Sequence, residues 1–238
     1  MTVRTKVVCL MLTGLLTGMQ GVSAQGDPEY RAEVGAGVGL MNYLGDLNGN
    51  LLKNLSPQAT VMAKYKPNPR MAYSLHVSYA KLKGSASGVD TFYPATPEGL
   101  DGASVMPRLE DHEFAQAVVD VAVGFEYNFW PYGTGREYRG AKPLVPFVQG
   151  GLGLTAGGGT HGNLHFGAGV KYKLGQRWNL TAMWRAVFTG SDTLDGLKDP
   201  YGVKSSGLFK NTDGYSSLSL TLSYDLWAKC KTCHNENE

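Results

Sequence analysis

Three things are scarce in this 238-residue chain: cysteine, uninterrupted apolar sequence and net charge. Lysine and arginine number 22 against 20 aspartates and glutamates, a formal charge of +2. Without a basic excess, charge gives no case for nucleic-acid binding. Beyond residue 24 no segment is long and apolar enough to cross a bilayer as a helix. That excludes helical spans but not a membrane barrel, whose strands alternate and so never raise bulk hydropathy. Only Cys9, Cys230 and Cys233 are present. Glycine, by contrast, is abundant at 32 residues, many inside strand-like patterns, as expected where a small barrel bends and its interior is crowded.

Residues 1–24 read as a secretory signal. Arg4 and Lys6 precede an apolar run at residues 7–18, and Val22, Ser23 and Ala24 supply small residues before a cut at Gln25. The run is too short to span a membrane as a helix. Cys9 lies inside it, behind Val7 and Val8 rather than a lipoprotein-type context, and is expected to be discarded with it. Residues 25–227 form one β domain of single-barrel size, followed by a tail at residues 228–238.

The clearest strand starts at Ala115 and ends in aromatics at Phe125, Tyr127, Phe129 and Trp130. Its odd positions are apolar; its even positions, among them Gln116, Asp120, Gly124, Glu126 and Asn128, are small, polar or charged. Such period-two alternation, ending in aromatics, suits a lipid-facing strand. The pattern recurs at residues 30–40, 57–66, 71–81, 144–155, 163–174, 178–189 and 215–227, giving eight strands. Residues 66–70 and 175–177 read as tight turns, and residues 84–113 and 190–214 as long loops. With both ends in the periplasm, the long links fall outside and the tight turns inside, as barrels require. Two links depart from the rule: residues 130–143 are long for a periplasmic turn, and residues 156–162 short for an outer loop. The long periplasmic link is therefore a candidate partner-binding element. A soluble β-sandwich is the competing architecture, but the second row of each strand, with Gly, Ser, Ala and the single charges Arg31, Glu33, Asp120, Glu126, Lys171 and Arg185, suits a filled barrel interior. The expected fold is an all-β, eight-stranded antiparallel transmembrane barrel in the outer membrane.

Eight strands leave an interior that side chains fill, which argues against a general diffusion porin. A membrane anchor, an adhesin, a lipid-modifying enzyme and a scaffold remain. His76 and His165 fall on inward rows, His76 with serines close in sequence, the ordinary setting of a hydrogen-bonded filler as well as of a base. His112 and His161 lie in or beside outer loops, and the acidic residues of those loops lack calcium-loop spacing. No catalytic, cofactor or metal residue is assigned, and no small-molecule substrate is expected. In the tail, Cys230, Cys233 and His234 match a c-type haem attachment pattern, but the four polar or charged residues that follow supply neither an apolar enclosure nor a second axial ligand. A zinc site would need a fourth ligand. In an oxidising periplasm the two cysteines either close a local loop or link to a partner.

Four stretches carry a resemblance: residues 43–47 (Tyr-Leu-Gly-Asp-Leu), 124–132, 146–153 and 192–197 (Asp-Thr-Leu-Asp-Gly-Leu). They resemble the PorG-like small outer-membrane barrels of the Bacteroidetes type IX secretion system; the first and last stretches are the distinctive ones. The resemblance implies a non-enzymatic accessory of a protein-export machine. It would sit in the outer membrane and hold a periplasmic ring of a lipoprotein and its partner. It also allows contact with the inner-membrane motor. Such a scaffold would meet its partners through Arg136, Arg139, Lys142 and the tail that carries Cys230 and Cys233.

Overall fold

In the computed structural model, residues 30–44, 54–85, 113–133, 141–190, 194 and 213–228 are described. Eight strands follow one another: β1 (Tyr30–Leu44), β2 (Ser56–Asn68), β3 (Met71–Ser85), β4 (Glu113–Asn128), β5 (Leu144–Ala156), β6 (Thr160–Lys173), β7 (Trp178–Thr189) and β8 (Gly214–Ala228). Each pairs antiparallel with its neighbours in sequence, and β8 returns to β1 to close the barrel. Closure leaves no sheet edge, which removes the sandwich alternative. The end that carries Tyr30 and Ala228 is the terminal end; the opposite one is the loop end.

Alternation sorts the side chains as the sequence leads one to expect. Val34, Val38, Val61, Leu75, Val121, Leu152, Phe166, Trp184 and Leu220 stand on the outer wall. Their strand neighbours are buried or half-buried, and most are polar residues or glycines. An apolar exterior around a polar interior is the inverse of a soluble domain and suits a hydrocarbon surround. The outer row of β3 marks one border of the belt. Met71, Tyr73, Leu75, Val77 and Tyr79 give way to exposed Lys81 and Lys83 toward the loop end. At the terminal end the border is aromatic: Phe129, Trp130, Trp178 and Trp227 are exposed there.

Glycine is needed where β1 meets β8. A Cβ on Gly37 would lie 2.5 Å from the Leu220 carbonyl oxygen, and one on Gly39 2.2 Å from that of Leu218. These inward positions have no room for a side chain, because the β8 backbone approaches too closely there.

Several boundaries differ from the sequence reading. Strands β1, β3 and β6 run further toward the loop end; residues 42–44 are strand rather than loop, and His161 lies within β6. The inter-strand ladder continues past the apolar belt, where polarity no longer marks it. Link five shrinks to residues 157–159, turned by Gly158 at φ 65°. The supposed turn at residues 66–70 is mostly strand. Pro67 lies inside β2, at the register shift between Tyr65 and Asn68, where the missing N–H breaks no ladder bond.

The outer wall makes a direct prediction. Leu220→Arg, on the exposed apolar row of β8, should cost about 2–4 kcal/mol near the bilayer midplane. Urea unfolding of barrels folded into vesicles measures it; an unchanged midpoint would contradict a lipid-facing wall.

Candidate functional site

The lumen is the most organised chemical environment among the described residues. Strands β2, β4 and β6 bring Lys64, Glu126 and Lys171 to its centre. Glu126 accepts from Lys64 Nζ at 2.9 Å and from Lys171 Nζ, and all three are fully buried. Phe147 of β5 lies against both ammonium groups, with 5.5 Å and 4.9 Å from each Nζ to its ring centre. Nearer the terminal end, Lys66 Nζ pairs with Asp225 and with Glu33, the latter at 3.4 Å. Glu33 also accepts from Ser223 Oγ at 2.6 Å. Lys173 pairs with Asp225 and donates to Asn179 at 2.9 Å. The pairs expected of Glu33, Glu126 and Lys171 are thus present, joined by Lys64, Lys66, Lys173 and Asp225.

A second cluster lies toward the loop end. Asp120 accepts from Arg185 Nη2 at 2.6 Å and from Asn163 Nδ2 at 2.7 Å. Asn163 also donates to Thr155, whose hydroxyl is 3.0 Å from that of Tyr215. Between the clusters are His76 and His165. His165 Nε2 is 3.5 Å from Gln149 Nε2. The serines flanking His76 are engaged elsewhere: Ser74 donates to the Gly124 carbonyl at 3.3 Å, and Ser78 Oγ is 3.0 Å from Thr60 Oγ1. These serines are thus not aligned on His76, and His76 Nε2 and His165 Nδ1 are buried with no hydrogen-bond partner among the described residues.

Both ends are stoppered. At the loop end Met41, Tyr43, Leu82, Val118, Val187, Leu194 and Tyr215 pack together, with Phe114 edge-on to Tyr43 at 4.9 Å. Tyr43 donates its hydroxyl to Asp213, and Asp213 accepts the Leu194 N–H at 2.8 Å. Leu194 belongs to the stretch at residues 192–197 and Tyr43 to that at 43–47, so one described residue of each is brought to this cluster. Neither contact was visible in the sequence, because Asp213 lies 170 positions from Tyr43.

At the terminal end the beginning of link four, residues 129–143 between β4 and β5, crosses the opening. Tyr132 is 2 % exposed. Its backbone N–H reaches the Pro69 carbonyl at 3.0 Å, and its hydroxyl donates to Asn179 Oδ1 at 2.8 Å. The ammonium groups of Lys171 and Lys173 lie over its ring at 5.3 and 5.6 Å. Burial pushes the phenol's pKa up, so Tyr132 remains a donor. Lys142 stands 4.2 Å from the Trp130 ring centre, tying the two sides of link four together. Arg136, Arg139, Cys230 and Cys233 lie outside the described residues, so the expected assembly of Lys142 with them is not something the geometry addresses.

This is a small barrel of the outer-membrane type, filled by its own side chains. Among solved structures it is similar in fold to Neisserial surface protein A, with TM-score 0.52, 14 % identity, and coverage of 82 % of this chain and 97 % of that one. It also aligns with Ail of Yersinia pestis, solved with the heparin analogue sucrose octasulfate (TM-score 0.46, 10 % identity, 83 % and 99 % coverage). OprG of Pseudomonas aeruginosa aligns as well (TM-score 0.45, 10 % identity, 86 % and 99 % coverage). No protein-family model matches the chain, and no curated protein does.

Two substitutions test the lumen. Glu126→Gln leaves two buried ammonium groups without their carboxylate and should cost about 3–5 kcal/mol. The triple change Lys64→Met, Glu126→Leu, Lys171→Met should cost less than that single one. Equilibrium unfolding in vesicles compares them; a neutral Glu126→Gln would contradict the network's role. Tyr132→Phe, which removes only the bond to Asn179, should cost about 0.5–1.5 kcal/mol in the same measurement.

Proposed function

We propose that this chain is an outer-membrane barrel, with both termini in the periplasm, that acts as a scaffold of a protein-export machine and carries out no reaction itself. The type IX secretion system is the machine indicated by the PorG-like resemblance of residues 43–47 and 192–197. On this reading the barrel holds a periplasmic ring lipoprotein and its partner beneath the membrane, within reach of the inner-membrane motor.

The observation that carries the proposal is the anchorage of link four. Tyr132 is set into the lumen, and Trp130 and Lys142 clamp the two sides of the segment that bears Arg136 and Arg139. Residues already held at the base of a link cost less ordering when a partner binds beside them, which favours a standing contact. The charged groups at the centre of the lumen pair with one another, which favours a contact made on the exterior. The tail with Cys230 and Cys233 adds a second point of attachment, either as a local disulfide or as a covalent link to the partner.

A second reading places function on the cell surface, as an adhesin, a structural anchor or a lipid-modifying enzyme. What favours it is the convergence of Tyr43, Asp213 and Leu194, which brings one described residue of each distinctive stretch to the loop end. Deletions separate the two readings in a strain that carries the export machine. Removing residues 134–140 or 229–238 should reduce secretion and lipoprotein co-purification more than trimming residues 86–112. The reverse order would contradict the scaffold.

A further inference from the structure

Of the lysines and arginines on the described strands, two stand exposed: Lys81 and Lys83 of β3. The others, from Arg31 of β1 to Arg185 of β7, are buried or half-buried. Lys81 and Lys83 end the outward row that begins with Met71, Tyr73, Leu75, Val77 and Tyr79. Alternate positions share a face, so both side chains leave the barrel wall on its outer side. At strand rise their Cα atoms are roughly 7 Å apart, a spacing that one phosphate can bridge. The ladder holds at this height, with Lys81 opposite Ala117 and Lys83 opposite Ala115 of β4. Both alanines are exposed and too short to cover a lysine beside them. A rigid wall thus presents two ammonium groups sideways to whatever surrounds the barrel there.

The rows beneath identify those surroundings. Tyr79 lies opposite Val119, Val77 opposite Val121 and Leu75 opposite Val123. Tyr79, Leu75 and the three β4 valines are exposed on the outer wall. Such a column belongs in hydrocarbon. Tyr79 is the last aromatic of its row, and amphipathic rings mark the level where hydrocarbon gives way to headgroups. Lys81 and Lys83 come one and two outward steps beyond it, within the headgroup layer. The described acid on this stretch of wall, Glu113, stands one step further out, opposite Ser85, and accepts from its hydroxyl at 3.3 Å. Two cations above an apolar column complement an amphiphile that carries phosphate in its head and acyl chains below. With the termini in the periplasm, the loop end meets the outer leaflet, whose phosphorylated glycolipid is lipopolysaccharide.

We propose that Lys81 and Lys83 form a seat for lipopolysaccharide, with a lipid A phosphate between the two ammonium groups and acyl chains along Leu75, Val119 and Val121. The seat rests on the proposed orientation, with the loop end outside, and not on the scaffold role.

The full chain, purified from outer membranes and stripped of lipid in detergent, is titrated with lipid A and with the same glycolipid freed of its phosphates. Heat-dependent gel mobility reports folding. Wild type should bind the phosphorylated form about 30-fold more tightly, which is about 1 kcal/mol for each lysine. The double variant Lys81→Ala, Lys83→Ala should lose that preference, and Lys81→Arg, Lys83→Arg should keep it. Equal affinity of the wild type for the two forms would overturn the seat. So would an undiminished preference in the folded alanine variant, or equally tight binding of an anionic glycerophospholipid. Should the alanine variant not fold, the two wild-type titrations decide alone. Orientation is read separately: Ser85→Cys, in a Cys230→Ser, Cys233→Ser background, should react on intact cells with a maleimide polymer too large to cross the outer membrane. Labelling on intact cells without a phosphate preference would overturn the seat and leave the orientation standing. Labelling only after permeabilisation would overturn the orientation, and the seat with it.

Discussion

The carboxylate of Glu126, held between the ammonium groups of Lys64 and Lys171, is the constraint on which the rest of the barrel depends. All three groups are out of water. A buried ion costs several kilocalories per mole unless its partners stand in good geometry. These partners come from β2, β4 and β6, so the pairing forms only when alternate strands arrive in one register. A one-residue slip in any of them would send a charge to the lipid face and an apolar side chain into the lumen. Hydrocarbon outside and paired charge inside thus reinforce a single closed arrangement. The Lys66 and Lys173 pairs to Asp225 extend this logic to the β8 seam.

Much of this was legible in the sequence. Strand number, inward and outward rows and closure follow from alternation, because the two faces meet solvents as different as hydrocarbon and paired charge. Strand β7 was bounded at Trp178 and Thr189, as the fold has it. The ends of β1, β3 and β6 were not legible, since the ladder outlasts the apolar belt and polarity no longer distinguishes strand from loop. Pro67 was read as a turn residue because proline lacks an N–H, but a register shift inside β2 accommodates it. Of the lumen network, the charges were visible as inward positions, while their partners across the barrel were not. Contacts such as Tyr132 to Asn179 and Tyr43 to Asp213 join links to distant strands and leave no periodic trace.

The two stoppers give the ends different characters. The loop end is closed by a largely apolar cluster into which Leu194 descends, and one described residue of each distinctive stretch is brought there. The terminal end is closed by one tyrosine at the root of a link whose two sides are pinned by a lysine–tryptophan contact. The charged groups of the interior pair with one another, and at the terminal end Tyr132, Trp130 and Lys142 are the described residues that hold the link.

The central claim is that the charge network and the two stoppers close the lumen to conduction. Current through single full-length barrels reconstituted in planar bilayers tests it most directly. The account predicts no stable unit conductance in the wild-type protein across the range of voltages the bilayer withstands. A steady, reproducible open channel would contradict it.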